Sequence, residues 1–344
     1  MTNEDLLIEV QGLKTYFKVR EGTVRAVDGV DFVIRRGKTL GIVGESGCGK
    51  SVTAQSIMRL VEPAGKIIDG VITYYRLASQ DDVSAKVDVV DITALDPRSD
   101  AIRQIRGGEI AMVFQDPMTS FSPVHSIGDQ ISEALILHQH LDRQKAKERA
   151  IEALRGVGMP RPDRVVDMYP HQLSGGMRQR SMIAMALSCT PSLLICDEPT
   201  TALDVTTEAQ ILDLMRQLQE SLGMAIMFIT HNLGVIAEMA EDVVVMYMGK
   251  VVEHANVVSL FEDPLHPYTR ALLRSIPRVD RDIEGHLESI KGIVPDPYSV
   301  PKGCPFHPRC PSFISNVCDV VEPPLVMIDG RQVYCHLYQP KPAE

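Results

Sequence analysis

Apolar positions along the chain change their period in a regular order. Residues 6–17 alternate loosely and read as a strand, and a turn at Gly22 leads to a second strand near 30–34. Residues 38–43 form a short apolar run into a glycine-rich loop, after which 50–60 reads as a helix. The polar, acid-rich segment 79–91 predicts a hairpin tip or surface insert, and 109–114 is strand-like. From 127 to 157 the pattern is helical, with Ile127, Ile131, Ala134 and Leu135 at helix spacing, and 175–188 reads as a further helix. Strand-like runs recur at 192–196, 225–230 and 242–247, separated by helical 206–222 and 233–239. Such alternation implies an α/β core around a largely parallel sheet. Beyond about residue 263 proline becomes frequent and periodicity fades, apart from a short helix at 267–275. No internal repeat occurs.

Composition narrows this picture. A chain of 344 residues exceeds one ordinary core, so two or three structural units are expected. The formal charge of −10 argues against a general nucleic-acid binder, since proteins that neutralise phosphates are usually basic. The most apolar runs, 224–230 and 243–248, fall well short of the ~18–20 residues of a bilayer span. Acids stand in the first ten residues where a signal peptide carries bases, so a soluble, cytoplasmic-type chain is expected.

Gly44-Glu45-Ser46-Gly47-Cys48-Gly49-Lys50-Ser51 fits the phosphate-loop pattern G-x-x-x-x-G-K-[ST]. Its glycines let successive N–H groups face one centre, and the following helix, opening at Lys50 and running through Val52, adds its positive end. Lys50 is placed to reach the β- and γ-phosphates, and Ser51 to offer its hydroxyl to Mg²⁺. A second element, the apolar run Leu193-Leu194-Ile195-Cys196 followed by Asp197 and Glu198, matches a Walker B strand. Asp197 is expected to hold the magnesium shell, and Glu198 to act as general base on the attacking water.

Leu173-Ser174-Gly175-Gly176-Met177 resembles the LSGGQ signature of ATP-binding-cassette (ABC) proteins, with Met177 in place of glutamine. Gln115 is similar to the family's Q-loop glutamine, Thr201-Ala202-Leu203-Asp204 to its D-loop, and His231 to its switch histidine, although Asn232 stands where aspartate often follows. The resemblance, running from Leu6 to about Phe261, implies a P-loop NTPase core with a β-subdomain and an inserted α-helical subdomain. It also implies that Ser174, Gly175 and Gly176 of one subunit close over ATP on another, that Gln115 senses Mg²⁺ and the attacking water, and that His231 contacts the γ-phosphate. An aromatic residue ahead of the P-loop would stack on the base. Counting back from Ala26-Val27-Asp28-Gly29 favours Phe17, with Tyr16 still open.

The short stretch between Lys50 and Ser174, without heptads, sets the chain apart from ABC ATPases that carry long coiled coils. A single cassette without a membrane span fits a transporter's nucleotide-binding subunit. Gln115-Asp116-Pro117-Met118-Thr119-Ser120, Tyr169-Pro170-His171-Gln172-Leu173 and His266-Pro267-Tyr268-Thr269-Arg270 are similar to runs in the dipeptide/oligopeptide/nickel importer family. That resemblance implies a peripheral protein on the cytoplasmic face of the membrane, powering import of di- or oligopeptides. Its implied partners are two permease subunits, a second ATPase subunit that is often a related but different chain, and an extracytoplasmic binding protein. Permease coupling helices would dock near residues 115–128. A nickel, glutathione or haem importer is the alternative within the family, and a soluble ABC ATPase without transport the alternative outside it. The expected division is a cassette at 1–265, with its helical subdomain at about 117–184, and an extension at 266–344.

Four of the seven cysteines lie in that extension, spaced C-x₅-C-x₇-C-x₁₆-C as Cys304, Cys310, Cys318 and Cys335, with proline directly after the first two. In a cytoplasmic-type chain a metal or iron–sulfur site is expected over disulfides. The lack of C-x₂₋₄-C knuckles disfavours zinc, and wide loops suit a cubane. The family resemblance points the same way, since dipeptide-importer ATPases include members with a [4Fe-4S] centre in this tail. Zn²⁺ is the alternative, with His307 and His336 as possible substitute ligands. Cys48, Cys189 and Cys196 read as small packing residues.

Overall fold

In the computed structural model, residues 5–77, 87–116, 120–201, 203–275, 290 and 292–339 are described. Twelve strands form two sheets among these residues. The smaller is antiparallel and built from β1 (Leu6–Val19), β2 (Gly22–Arg35), β4 (Gly65–Leu77) and β5 (Val87–Asp91), in the order β2-β1-β4-β5. The larger adds β3 (Thr39–Val43), β6 (Ile110–Val113), β7 (Leu193–Asp197), β8 (Ala225–Ile229), β9 (Asp242–Tyr247) and β10 (Lys250–Asn256) to a tail hairpin, β11 (Leu325–Ile328) and β12 (Arg331–Tyr334). Its order is β11-β12-β10-β9-β3-β8-β7-β6. The stretch β9-β3-β8-β7-β6 is parallel, as the strand–helix alternation predicts.

Strands β3, β7 and β8 are buried at every position, the pattern of a parallel sheet covered on both faces. On one face Ile42, Ile195 and Ile229 pack with the small sheet and the helix Lys50–Ile57. On the other, Val43, Cys196 and Phe228 pack with the helices Ile127–Gln139, Arg143–Gly156 and Gly175–Leu187. Each fully buried aliphatic or aromatic side chain in these layers contributes about 1.5–3 kcal/mol.

Several expected boundaries shift. The helical stretch 127–157 is two helices, because His140 takes a left-handed conformation (φ 55°) and Asp142 caps a new helix by accepting from the Lys145 N–H at 2.9 Å. The helix expected at 50–60 ends at Ile57, where Arg106 donates to the free carbonyls of Met58 and Arg59, both at 2.6 Å. Of the acid-rich segment 79–91, β5 pairs with β4, while 79–86 lies outside the described residues. So do 117–119 of the run after Gln115, and Ala202. No helix among the described residues is long and apolar enough to cross a membrane.

The tail packs on the cassette instead of standing apart. β12 pairs with β10 through Glu253↔Val333 and His254↔Gln332, and Phe306, Cys304 and Cys318 enter the same core as the parallel strands. The helix Pro267–Arg274 is anchored by Glu253, which is fully buried and whose carboxylate accepts the N–H groups of Leu265 and His266, each at 2.8 Å.

Candidate functional site

Every parallel strand delivers its C-terminal end to one edge of the large sheet, where open α/β folds bind ligands. The loop 44–49 follows β3 there and runs into the helix Lys50–Ile57. Its glycines are required by geometry. At Gly49 (φ +104°) a Cβ would lie 2.1 Å from the Ala26 carbonyl, and at Gly44 it would lie 2.2 Å from that of Met246. The loop is therefore wedged between the small sheet and β9. Lys50 is buried, its ammonium donating to the carbonyls of Gly44 (2.8 Å) and Glu45 (3.1 Å).

Around this loop the sequence-predicted groups converge. The Ser51 hydroxyl donates to Asp197 Oδ1 at 3.0 Å. Burial raises the Asp197 carboxyl above its ordinary value, against the lowering effect of that hydrogen bond. Glu198 directly follows β7 in a left-handed conformation (φ 47°), its N–H donating to the Ile229 carbonyl at 2.9 Å. Its carboxylate accepts from Gln115 Nε2 and from the Thr201 hydroxyl, both at 3.0 Å, and His231 Nδ1 stands 3.3 Å from Oε1. Ser46, Gly47, Lys50, Ser51, Val52, Gln115, Glu198 and His231 line one cavity of about 480 Å³.

Other expected residues lie elsewhere. Ser174 caps the helix Gly175–Leu187, accepting from the Met177 N–H at 3.3 Å, and Gly175 opens onto free space. Gly176 faces Thr207, and Asp204 caps the helix Val205–Leu222 by accepting from the Thr207 N–H at 3.0 Å. None of these lines the 480 Å³ cavity. Tyr16 and Phe17 also stand outside it: the Tyr16 hydroxyl donates to Asp28 under the Arg25 guanidinium, and the Phe17 ring lies over Gly65. Cys48 is buried with its thiol raised by burial, and Asn232 caps the helix Leu233–Met239.

A family described as ABC transporter matches residues 27–201, the stretch that carries the phosphate loop, the signature and the Walker B pair. This chain belongs to the ABC transporter family. A second match, described as oligopeptide/dipeptide transporter, C-terminal region, covers residues 252–318 of the cassette and its tail. The ABC chain is 49% identical over 340 residues, 98% of each sequence, to the oligopeptide transport ATP-binding protein AppD of Bacillus subtilis (strain 168). It is 44% identical over 331 residues, 96% of each sequence, to the dipeptide transport ATP-binding protein DppD of Escherichia coli (strain K12). The dimeric post-hydrolysis structure of the ATP-binding cassette MJ0796, bound to ADP and Pi, matches with a TM-score of 0.61 and 26% identity, over 73% of this chain and 98% of that one. The ABC chain is thus an ATPase with the P-loop fold.

Sequence reasoning missed residues that back the loop from behind. Tyr268, inside the run His266 to Arg270, accepts the Glu45 N–H on its hydroxyl at 2.8 Å. Arg309, between Cys304 and Cys310, grips the Glu45 carboxylate at 2.6 and 3.0 Å. Tyr268 was signalled only as part of the importer-like run 266–270, and Arg309 only as a basic side chain beside Cys310.

The four-cysteine centre is less assembled than its spacing suggests. Among the described residues no group of three or more His, Cys, Asp or Glu side chains could hold a metal ion. The cysteines nevertheless act on one another: the Cys304 thiol is pushed up to about 12, mainly by burial, with smaller contributions from Cys335, Cys318 and Cys310. The Cys304 N–H donates to the Cys318 carbonyl at 2.8 Å.

Proposed function

We propose that this chain is the ATP-hydrolysing subunit that drives import of di- or oligopeptides through a membrane transporter. One observation carries it: Ser51 on the helix after the phosphate loop, Asp197 and Glu198 at the end of β7, Gln115 after β6 and His231 after β8 meet at that loop. The nearly full-length likeness to peptide-transport ATP-binding proteins supports the substrate class.

Backbone N–H groups between residues 46 and 51 would cradle the β-phosphate, and Lys50 would move from the Gly44 and Glu45 carbonyls onto the β- and γ-phosphates. Phe17 or Tyr16 would stack on the base. Ser51, Asp197 and Gln115 form a hard oxygen set suited to Mg²⁺, and the burial that disfavours the Asp197 charge is relieved by a cation there. Bound Mg²⁺ neutralises phosphate charge. Glu198 would take a proton from the attacking water, steadied by the Gln115 and Thr201 donors, while His231 would orient the water and γ-phosphate. Ser174, Gly175, Gly176 and Asp204 lie outside the cavity, which suits a role across a dimer, where they would close over ATP held by a second cassette.

The proposed setting is peripheral, on the cytoplasmic face of the membrane. Its proposed companions are two permease subunits, a second and different ATPase chain, and an extracytoplasmic peptide-binding protein. Residues 1–265, with a helical insert at about 117–184, would form the motor and 266–344 the extension. In that extension we assign Cys304, Cys310, Cys318 and Cys335 to a [4Fe-4S] cluster. The wide C-x₅-C-x₇-C-x₁₆-C loops, without C-x₂₋₄-C knuckles, suit a cubane over a single Zn²⁺. Burial raises the thiols of Cys304, Cys310 and Cys335, and the backbone N–H groups of Phe306, Ser312 and Leu337 partly oppose that rise, as donors to bound thiolates would. Iron and sulfide analysis of anaerobically purified protein, with EPR after reduction, tests this; zinc without iron refutes it. The function is tested by purification from native membranes: co-purifying permeases and peptide-binding protein are expected, and a soluble complex with RNA or ribosomes would overturn it.

A further inference from the structure

Arg309 fastens the loop expected to hold ATP to the cysteine-bearing tail. The Arg309 side chain, only 3% exposed, donates to both carboxylate oxygens of Glu45 at 2.6 and 3.0 Å, and to the Tyr247 hydroxyl at 3.3 Å. Glu45 is held further through its N–H by the Tyr268 hydroxyl (2.8 Å) and through its carbonyl by Lys50 (3.1 Å) and the Cys48 N–H (3.3 Å). Phe306 packs edge-on to Tyr247 and tilted to Tyr268, with ring centroids 5.3 Å apart in each case, so the arginine's surroundings are also rigid. A two-pronged guanidinium–carboxylate contact fixes orientation as well as position. Glu45 is the second residue of the loop, and Gly44 before it has no room to move towards β9.

We propose that Arg309 is a positioning residue for ATP binding: it holds Glu45, and through it the phosphate loop, in register with the tail, so that tail integrity and nucleotide affinity are coupled. The proposal rests on reading residues 44–51 as the ATP site. Without the strut only a fraction of molecules would present the loop correctly, and apparent affinity falls by that fraction. Because coupling is reciprocal, bound nucleotide should also steady the tail.

The test is calorimetric binding of Mg²⁺ with a non-hydrolysable ATP analogue to the full-length chain, alongside the reaction of its thiols with DTNB. Arg309→Ala and Glu45→Gln are each expected to weaken binding about ten-fold, and the double variant to be no worse than either single one, since one contact is lost in all three. Arg309→Lys should recover part of the loss, and the Arg309→Ala defect should appear in KM for ATP and not in kcat. Should Arg309→Ala fail to fold, Arg309→Lys and Glu45→Gln complete the cycle. Affinities within two-fold of the parent overturn the proposal, as do additive losses in the double variant or a bound analogue that leaves the rate of tail-thiol reaction with DTNB unchanged. A parent chain that bound no analogue would instead overturn the ATP reading itself.

Discussion

Replacing Glu198 by glutamine separates chemistry from binding. The side chain keeps its length, and a carbonyl oxygen placed where Oε2 stands still accepts from both Gln115 and Thr201. The other oxygen, Oε1, becomes an NH₂ group facing His231 Nδ1, at most the loss of one hydrogen bond, about 1 kcal/mol. The backbone at φ 47° is unaffected, because its N–H contact to Ile229 does not involve the side chain. Loss of a general base, by contrast, slows hydrolysis about 10²–10⁴-fold, or about 2.7–5.5 kcal/mol in the barrier. The two magnitudes are far enough apart to be read independently. Phosphate release should fall at least a hundred-fold, ATP binding by calorimetry should stay close to the parent, and size-exclusion chromatography with ATP should show an accumulating closed dimer. Turnover within ten-fold of the parent would refute the assignment, as would loss of ATP binding together with turnover.

Three further outcomes follow from the same geometry. Burial raises the Asp197 carboxyl, so its charge costs stability at neutral pH; Asp197→Asn should raise the thermal midpoint of the nucleotide-free protein at pH 7 while abolishing Mg²⁺-dependent hydrolysis, and a lowered midpoint would contradict this. His266 is buried and pushed down to about 3, chiefly by desolvation, so it folds neutral: its contribution is complete above the ordinary histidine value and is lost as pH falls from about 6.5 towards 3. Denaturant unfolding should therefore lose about 2 kcal/mol between pH 7 and pH 5, and His266→Asn, which keeps an acceptor for the Tyr268 N–H, should flatten that slope. Finally, alanine at Phe17 or at Tyr16, compared by ATP titration, should weaken binding about ten-fold at the stacking position only; equal affinities in both variants would remove base stacking from the account.

Much of the motor was legible because its chemistry sits at the ends of strands whose burial is complete. β3, β7 and β8 are continuous apolar runs, and the groups assigned to the site follow directly after them. β4 was missed because it is largely half-exposed and interrupted by Asp69-Gly70, which hides its alternation. β10 was missed for the opposite reason: Glu253 lies fully buried within it, a charge that period-based reading assigns to the surface. The break at His140 carries neither glycine nor proline, so only Asp142 marked the new helix. Arg309 and Glu45 are joined across 264 positions, and no local pattern announces a contact of that span. The cysteine spacing, in turn, located a region of the tail but not the distances between its sulfurs.

Uptake of a labelled dipeptide into membrane vesicles, with this chain, its permeases and the binding protein present, tests the central claim most directly. ATP on the cytoplasmic side should drive accumulation in parent vesicles, and Glu198→Gln vesicles should bind ATP without accumulating peptide. Equal accumulation with and without ATP, or with the Glu198→Gln chain, would contradict the account.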